Sequence, residues 1–343
     1  MHCRKVARRL SSISSAAVAI RGTFCHLAVT IMKMPKLKIA HERNAPDGFI
    51  VVAVLWILGA LSLFVSIYAV YVINSATAFA VYDDHLRAEA LVSAAIELTD
   101  YQLQTAAAQT RPTRGRFSFH LDQAAVAVEF RSEAARIDLN AAPKQILAGL
   151  FNVLGARADD AELYSDRVIG WRTAPATDQD SEVSAYRMMR LGYQPRGAKF
   201  PHLSELALVR DLPTALVERA LPYVTVYSGR PQINILDASP EVIAALPGMT
   251  GDSLNAFLVQ RRASPQNAEA LLPLLKDARQ FATTEGSNAV RVRVRIAFDD
   301  GHKESSEVVI LAFDQGDQPF AVLSWRSESN ELIADNESWT ELQ

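Results

Sequence analysis

From Phe49 to Tyr82 the chain carries no Asp, Glu, Lys or Arg, and Phe49 to Ile73 is almost wholly apolar. A helix rises about 1.5 Å per residue, so about 20 apolar residues cross the hydrocarbon layer. The stretch predicts one transmembrane helix, because a soluble core helix of this length would carry charges. A secretory signal peptide has a shorter apolar core that ends at small residues. Here the run continues through Val70, Tyr71, Val72 and Ile73, so the helix is expected to be retained. Lys33, Lys36, Lys38 and Arg43 precede it, and Asp83 and Asp84 follow. The positive-inside bias then leaves the N-terminus in the cytoplasm and exports the larger C-terminal part.

Charge divides at the same place. Residues 1–48 hold nine Lys or Arg against Glu42 and Asp47, a net of plus 7, whereas the remainder holds 26 basic and 36 acidic residues, a net of minus 10. The whole chain is 49% hydrophobic, too apolar for a disordered polypeptide, so at least one packed domain is expected. Both cysteines, Cys3 and Cys25, precede Gly48, so packing or bound ions, not disulfides, must hold the rest together. A polyanionic body argues against nucleic-acid partners, which need clustered Lys and Arg.

Past Asp83 the helix continues to about Gln109, with Leu86, Ala90, Leu91, Ala94, Leu98 and Tyr101 near a 3.6 period. Arg111-Pro112 and Gly115 stop it. Phe117 to Phe130 reads as two strands turning near Asp122. A helix is expected after Asn140, taken as its N-cap with Pro143 in the first turn, and the device returns at Asp237-Ala238-Ser239-Pro240, which suggests an internal repeat. Between them Asp159 to Trp171, Leu203 to Val209 and Thr214 to Leu221 read as helical, and Tyr186 to Pro201 as loop. Val290, Val292, Val294, Ile296 and Phe298 alternate with Arg291, Arg293 and Arg295, the pattern of a half-buried strand. The arginines read as the wet side of an edge strand, with an acidic partner as the other reading. Asp299-Asp300-Gly301-His302 is turn chemistry. Glu307 to Phe313 and Phe320 to Trp325 complete an antiparallel sheet, and an acidic tail from Ser327 is expected to be mobile. The implied parts are a leader (1–48), a membrane segment (49–82), a helix with the first strands (83–136), a helical domain (137–222), a second helical segment (223–286), C-terminal strands (287–326) and the tail (327–343).

Three motifs invite chemistry. Leu246-Pro247-Gly248-Met249-Thr250 resembles a helix-hairpin-helix turn, whose amides can hold a DNA phosphate. That reading gives the alternative of a membrane-anchored DNA-binding competence-type protein. Thr250 replaces its second Gly, however, and only Arg261 and Arg262 lie near. Asp178, Asp180 and Glu182 alternate in an acidic stretch at a spacing calcium tolerates. His85, His120, His202 and His302 read as surface or capping groups. There is no His-Glu-x-x-His, Gly-x-Ser-x-Gly or phosphate loop, so no enzyme is expected.

The basic leader ending Pro46-Asp47-Gly48, followed by Phe49 and an uninterrupted apolar helix, resembles a type IV prepilin signal. The resemblance implies cleavage by prepilin peptidase between Gly48 and Phe49 and N-methylation of Phe49. The leader is long for that family, and the start lies among Met1, Met32 and Met34. Most pilins and pseudopilins have Glu at the fifth mature position, where this chain has Ala53. Together with Phe200-Pro201-His202-Leu203-Ser204-Glu205-Leu206 and Leu221-Pro222-Tyr223-Val224-Thr225-Val226-Tyr227-Ser228-Gly229, these residues resemble the K-type minor pseudopilins, the general secretion pathway protein K family, from about Gly48 to Trp325. The resemblance implies an α+β, pilin-like fold: a long N-terminal helix and antiparallel sheet with a large inserted all-α domain of helix-hairpin-helix-like repeats. It also implies a place in the inner membrane, with the I-type, J-type and major pseudopilins as partners, in a fibre tip of type II secretion. Family members can bind calcium near an Asp-Trp-x-Asp stretch. Here that stretch reads Gly170-Trp171-Arg172-Thr173, without its carboxylates.

Overall fold

The computed structural model describes residues 48–106, 111–174, 182–264, 267–313 and 318–329. The leader, the helix end near Gln109, Asp178, Asp180 and the tail beyond Ser329 lie outside the described residues. Helix α1 spans Gly48–Thr105, and the chain divides into two units after Ala76. In the first unit no residue of the apolar length, Phe49–Ser75, is buried, and its large side chains are exposed. Its 27 residues reach about 40 Å, enough to cross a hydrocarbon layer of about 30 Å.

The second unit begins with the rest of α1 laid on a sheet. Strands β1 (Arg114–Leu121) and β2 (Ala124–Ser132) form a hairpin around Asp122, whose φ is +52°. Strand β3 (Ile137–Asp138) leads into α2 (Lys144–Val153), α3 (Ala158–Arg172) and α4 (Glu182–Met188), then a 3₁₀ turn Leu203–Leu208 and α5 (Thr214–Ala220). Strand β4 (Val224–Thr225) closes this group by pairing parallel with β3. The pattern then recurs: β5 (Ile233–Asn234), α6 (Pro240–Ala244), α7 (Gly251–Ala263), α8 (Ala268–Leu271), a 3₁₀ stretch Leu272–Phe281 and β6 (Ala282–Thr283), which pairs parallel with β5. Strands β7 (Ala289–Phe298), β8 (Lys303–Ala312) and β9 (Phe320–Ser329) return to the sheet, whose order is β1-β2-β7-β8-β9, antiparallel throughout.

Two cores follow from this arrangement. Ala88, Leu91, Val92, Ala95, Ile96 and Leu103 of α1 pack on Val126, Val128, Phe130, Val292, Val294, Ile296, Val308 and Ile310. The expected stripe through Leu86, Leu98 and Tyr101 is therefore corrected, since those three are exposed and of that set Leu91 is the buried one. The helix is apolar on more than one side and the sheet covers only one. The second core gathers Ile146, Leu147, Phe151, Trp171, Tyr186, Phe200, Leu206, Ile243 and Phe257. Within it α2 meets α6 at Gly149, where a Cβ would stand 2.0 Å from the Ala245 carbonyl oxygen.

The two helical groups share a local device. Asp138 Oδ1 accepts the Asn140 amide (2.7 Å) and Asn234 Oδ1 accepts the Leu236 amide (2.9 Å). The amides of Leu139 and Ile235 reach the carbonyls of Thr225 and Thr283 across the strand pairs. The expected caps are otherwise placed. Pro143 is the residue before α2, with no side-chain cap, while Asn140 reaches across to Phe200 and Val226. At α6 the cap is Ser239 rather than Asp237. Asp237 is taken instead by Thr113 and Arg114 at the start of β1. Two further expectations change: Tyr186 to Met188 are helical, and Ser327 to Ser329 belong to β9.

Candidate functional site

The expected processing junction, Gly48 and Phe49, lies at the start of α1. No acidic residue occupies its first turn, and Phe49 is 71% exposed. Ala53 is half-buried and offers no carboxylate to a neighbour's terminal amine. In the second unit, Leu86, Ala90, Leu98 and Tyr101 form an exposed apolar stripe at helical spacing along α1.

The arginines of β7 were expected on an edge strand, but β7 is the middle strand of the sheet. Arg291 lies between Glu133, at the start of the insert, and Glu307 on β8. Its Nε stands 2.7 Å from Glu133 Oε1, and its guanidinium also bonds Glu307. The Thr225 hydroxyl donates to the same Glu133 carboxylate, tying sheet, insert entry and β4 together. Burial opposes charge on Arg291, yet Glu133 and Glu307 hold its pKa above the ordinary value. Burial and the neighbouring Arg291 push Arg136 down to about 10. Glu307 is held low: desolvation works against it, but Arg291 and Arg136 outweigh that cost. Sequence reasoning missed Glu133, Arg136 and Glu307. The register that sets Arg293 opposite Glu307 is the signal that could have found the last.

The helix-hairpin-helix reading meets a closed turn. Thr250 caps α7 by accepting the Ser253 amide, and Ser253 accepts the Thr250 amide in return. The Ser253 amide, one that could face a phosphate, is thus engaged within the turn. Arg261 turns inward, donating to the carbonyls of Ile235 and Ala238 with its Cζ 5.7 Å from the Phe257 ring centroid.

Of the calcium candidates, only Glu182 lies among the described residues. Its Oε1 accepts Arg210 Nε at 2.5 Å, and its Oε2 accepts Arg167 Nη1 at 3.3 Å. It packs on Gly170, where an added Cβ would stand 3.2 Å from Glu182 Cγ. Arg172 donates to the carbonyls of Leu139 and Ala142. A carboxylate whose two oxygens are shared between guanidinium groups, beside a Gly in place of an Asp, does not fit a calcium ligand set. Among the described residues no group of three His, Cys, Asp or Glu is placed to hold a metal ion. Nearby, Tyr186 accepts the Arg210 amide at 2.7 Å, and burial pushes its phenol up to about 12. His202 caps the 3₁₀ turn at Leu203, as expected.

The described residues thus hold an apolar N-terminal helix and, in the second unit, a helix-backed antiparallel sheet interrupted by a helical insert. Residues 123–229 match the family described as type II secretion system (T2SS), protein K. The match runs from β2 to just past β4, and the resemblance of the chain to the K-type minor pseudopilins is borne out. A chain of the GspK-GspI-GspJ complex from the type 2 secretion system of enterotoxigenic Escherichia coli shares the fold. Its TM-score is 0.55 at 20% identity, over 72% of this chain and 98% of that chain. No curated protein matches the sequence. The one apolar N-terminal helix is compatible with a single-pass membrane anchor.

Proposed function

We propose that the chain is a minor pseudopilin that forms, with I-type and J-type partners, the tip complex that starts and caps the periplasmic pseudopilus of type II secretion. The observation that carries this reading is topological. Strands β2 and β7 are hydrogen-bonded neighbours, Ser132 opposite Val290, yet both helical groups occupy the chain between them. An insert of that bulk on the pilin sheet hinders a further subunit from stacking above, which suits a cap better than a repeating shaft unit. Ala53 points the same way, because an unpaired buried charge is costly and a subunit without the usual Glu poorly accepts another's amine. The anchor would sit in the inner membrane with the N-terminus cytoplasmic and the head periplasmic. Small residues Gly59, Ala60 and Ser62 permit close approach of sister helices, and the exposed stripe of Leu86, Leu98 and Tyr101 extends apolar contact surface into the head. The role is structural, in helping folded cargo across the outer membrane, and prepilin peptidase would mature the chain.

Mass spectrometry of membrane-derived protein tests this. The expected N-terminus is methylated Phe49. Gly48→Ala should accumulate the uncut form and stop secretion, while Ala53→Glu should leave capture of the I-type and J-type subunits nearly unchanged. An uncut but fully active Gly48→Ala chain would overturn the reading.

A further inference from the structure

Glu182 belongs to a closed ring of charge that stands where the resemblance places calcium. Arg210 donates to Glu182 through Nε and Nη2, at 2.5 and 3.3 Å, and to Asp211 Oδ2 through Nη1 at 2.8 Å. Arg167 repeats the bridge from the other side, with Nη1 to Glu182 at 3.3 Å and Nε to Asp211 at 2.9 Å. The four side chains are between 11% and 29% exposed. Two guanidinium groups and two carboxylates sum to zero charge; Arg210 forks across both oxygens of Glu182, the strong form of such a pair, while Asp211 takes both arginines on Oδ2. The ring joins α3, the first residue of α4 and the segment just after the 3₁₀ turn. Glu182 packs closely on Gly170, where an added Cβ would stand 3.2 Å from Glu182 Cγ and push that side chain by a few tenths of an ångström.

We propose that this ring replaces a divalent cation. Arg167 and Arg210 supply the positive charge that a metal would, at a corner from which the Asp-Trp-x-Asp carboxylates have gone. The same two cations repel an incoming dication, and calcium needs several free anionic oxygens where both Glu182 oxygens and Asp211 Oδ2 are already taken by arginines. The insert of this chain is therefore held independently of calcium.

The full chain in detergent micelles provides the test. Its melting temperature should differ by less than about 1 °C between excess chelator and about 1 mM calcium, the range in which extracellular modules bind. Arg210→Gln should lower melting by about 4 °C to the same extent in both buffers. Arg210→Lys, which keeps the charge without the fork, should fall between and serves if the first variant does not fold. Calorimetry should register no saturable calcium site. A saturable site in the wild-type chain, through Glu182 or through Asp178 and Asp180, would overturn the proposal, as would an Arg210→Gln chain that melts like wild type.

Discussion

Two arginine–carboxylate clusters fasten this protein, one where the insert leaves the sheet and one inside the insert, and they sit in different solvents. The arginines are alike, Arg291 at 13% and Arg210 at 11% exposed, but Glu133 is 1% exposed against 16% for Glu182 and 29% for Asp211. The chemistry is the same, so the difference isolates burial. Removing one partner from a buried pair leaves a charge that water cannot reach, at about 3–5 kcal/mol. An exposed pair is usually worth about 1 kcal/mol or less. The junction cluster should therefore decide whether the insert is held in one pose on the sheet, and the inner cluster should only trim its stability.

Breaking the junction gives the largest expected effect. Arg291→Met strands Glu133 and half-frees Glu307, so it should lower stability by about 3–5 kcal/mol, or melting by about 10 °C in a head of this size. Adding Glu133→Gln and Glu307→Gln should recover most of the loss, because the damage comes from uncompensated charge. Thermal melts of wild type, Arg291→Met and the triple variant check this. A loss below about 1 kcal/mol would place the junction with exposed pairs and dissolve the contrast.

Acid sharpens the comparison next. Glu307 titrates low, desolvation being outweighed by Arg291 and Arg136. Glu205 also titrates low, mainly through its bond from Arg196. A carboxyl whose folded pKa lies below its unfolded value contributes stability above the ordinary carboxylate range and loses it as pH falls through the folded value. Melting should therefore drop between about pH 5 and pH 3. The drop should shrink in Arg291→Met, which has already lost the cation that holds Glu307 low. An equal drop in both chains would assign acid sensitivity to other carboxylates.

What the sequence disclosed, and what it hid, follows the range of the interactions. The anchor, the β7 alternation and the turn at Gly301 are written in neighbouring residues, so their periods could be read directly. The rank of β7 in the sheet is set by what lies on either side of it. Alternating arginines look the same on a wet edge as on a central strand whose arginines meet Glu133 and Glu307. Asn140 was misread for a related reason: its amide serves Phe200 and Val226, contacts 60 and 86 residues away that no local cap rule anticipates. The prolines Pro143 and Pro240 at two helix starts were visible, but the parallel strand pairs were not, since each is only two residues long. At the calcium-like corner the missing carboxylates were legible, while the arginines that satisfy Glu182 come from α3 and from beyond the 3₁₀ turn.

A third carboxylate lacks what both clusters have. Asp100 is 4% exposed on the sheet-facing side of α1. Oδ2 accepts Gln104 Nε2 at 2.6 Å, and among the described residues Oδ1 has no hydrogen-bond donor. Burial raises its pKa, with Gln104 and Arg111 only partly opposing. The sign is opposite to that of Glu307: a folded pKa above the unfolded value means the native state binds the proton more tightly, so this group favours folding as pH falls and opposes it at neutrality. Asp100→Asn keeps the shape and an acceptor for Gln104 while removing the charge. It should raise stability by about 0.5–1 kcal/mol near pH 7, a gain of a few degrees in melting. The gain should vanish below about pH 3, where the native carboxyl is already protonated. A loss at neutral pH would mean that Asp100 is compensated as fully as the two arginine clusters, and that burial without a full partner is not what sets it apart.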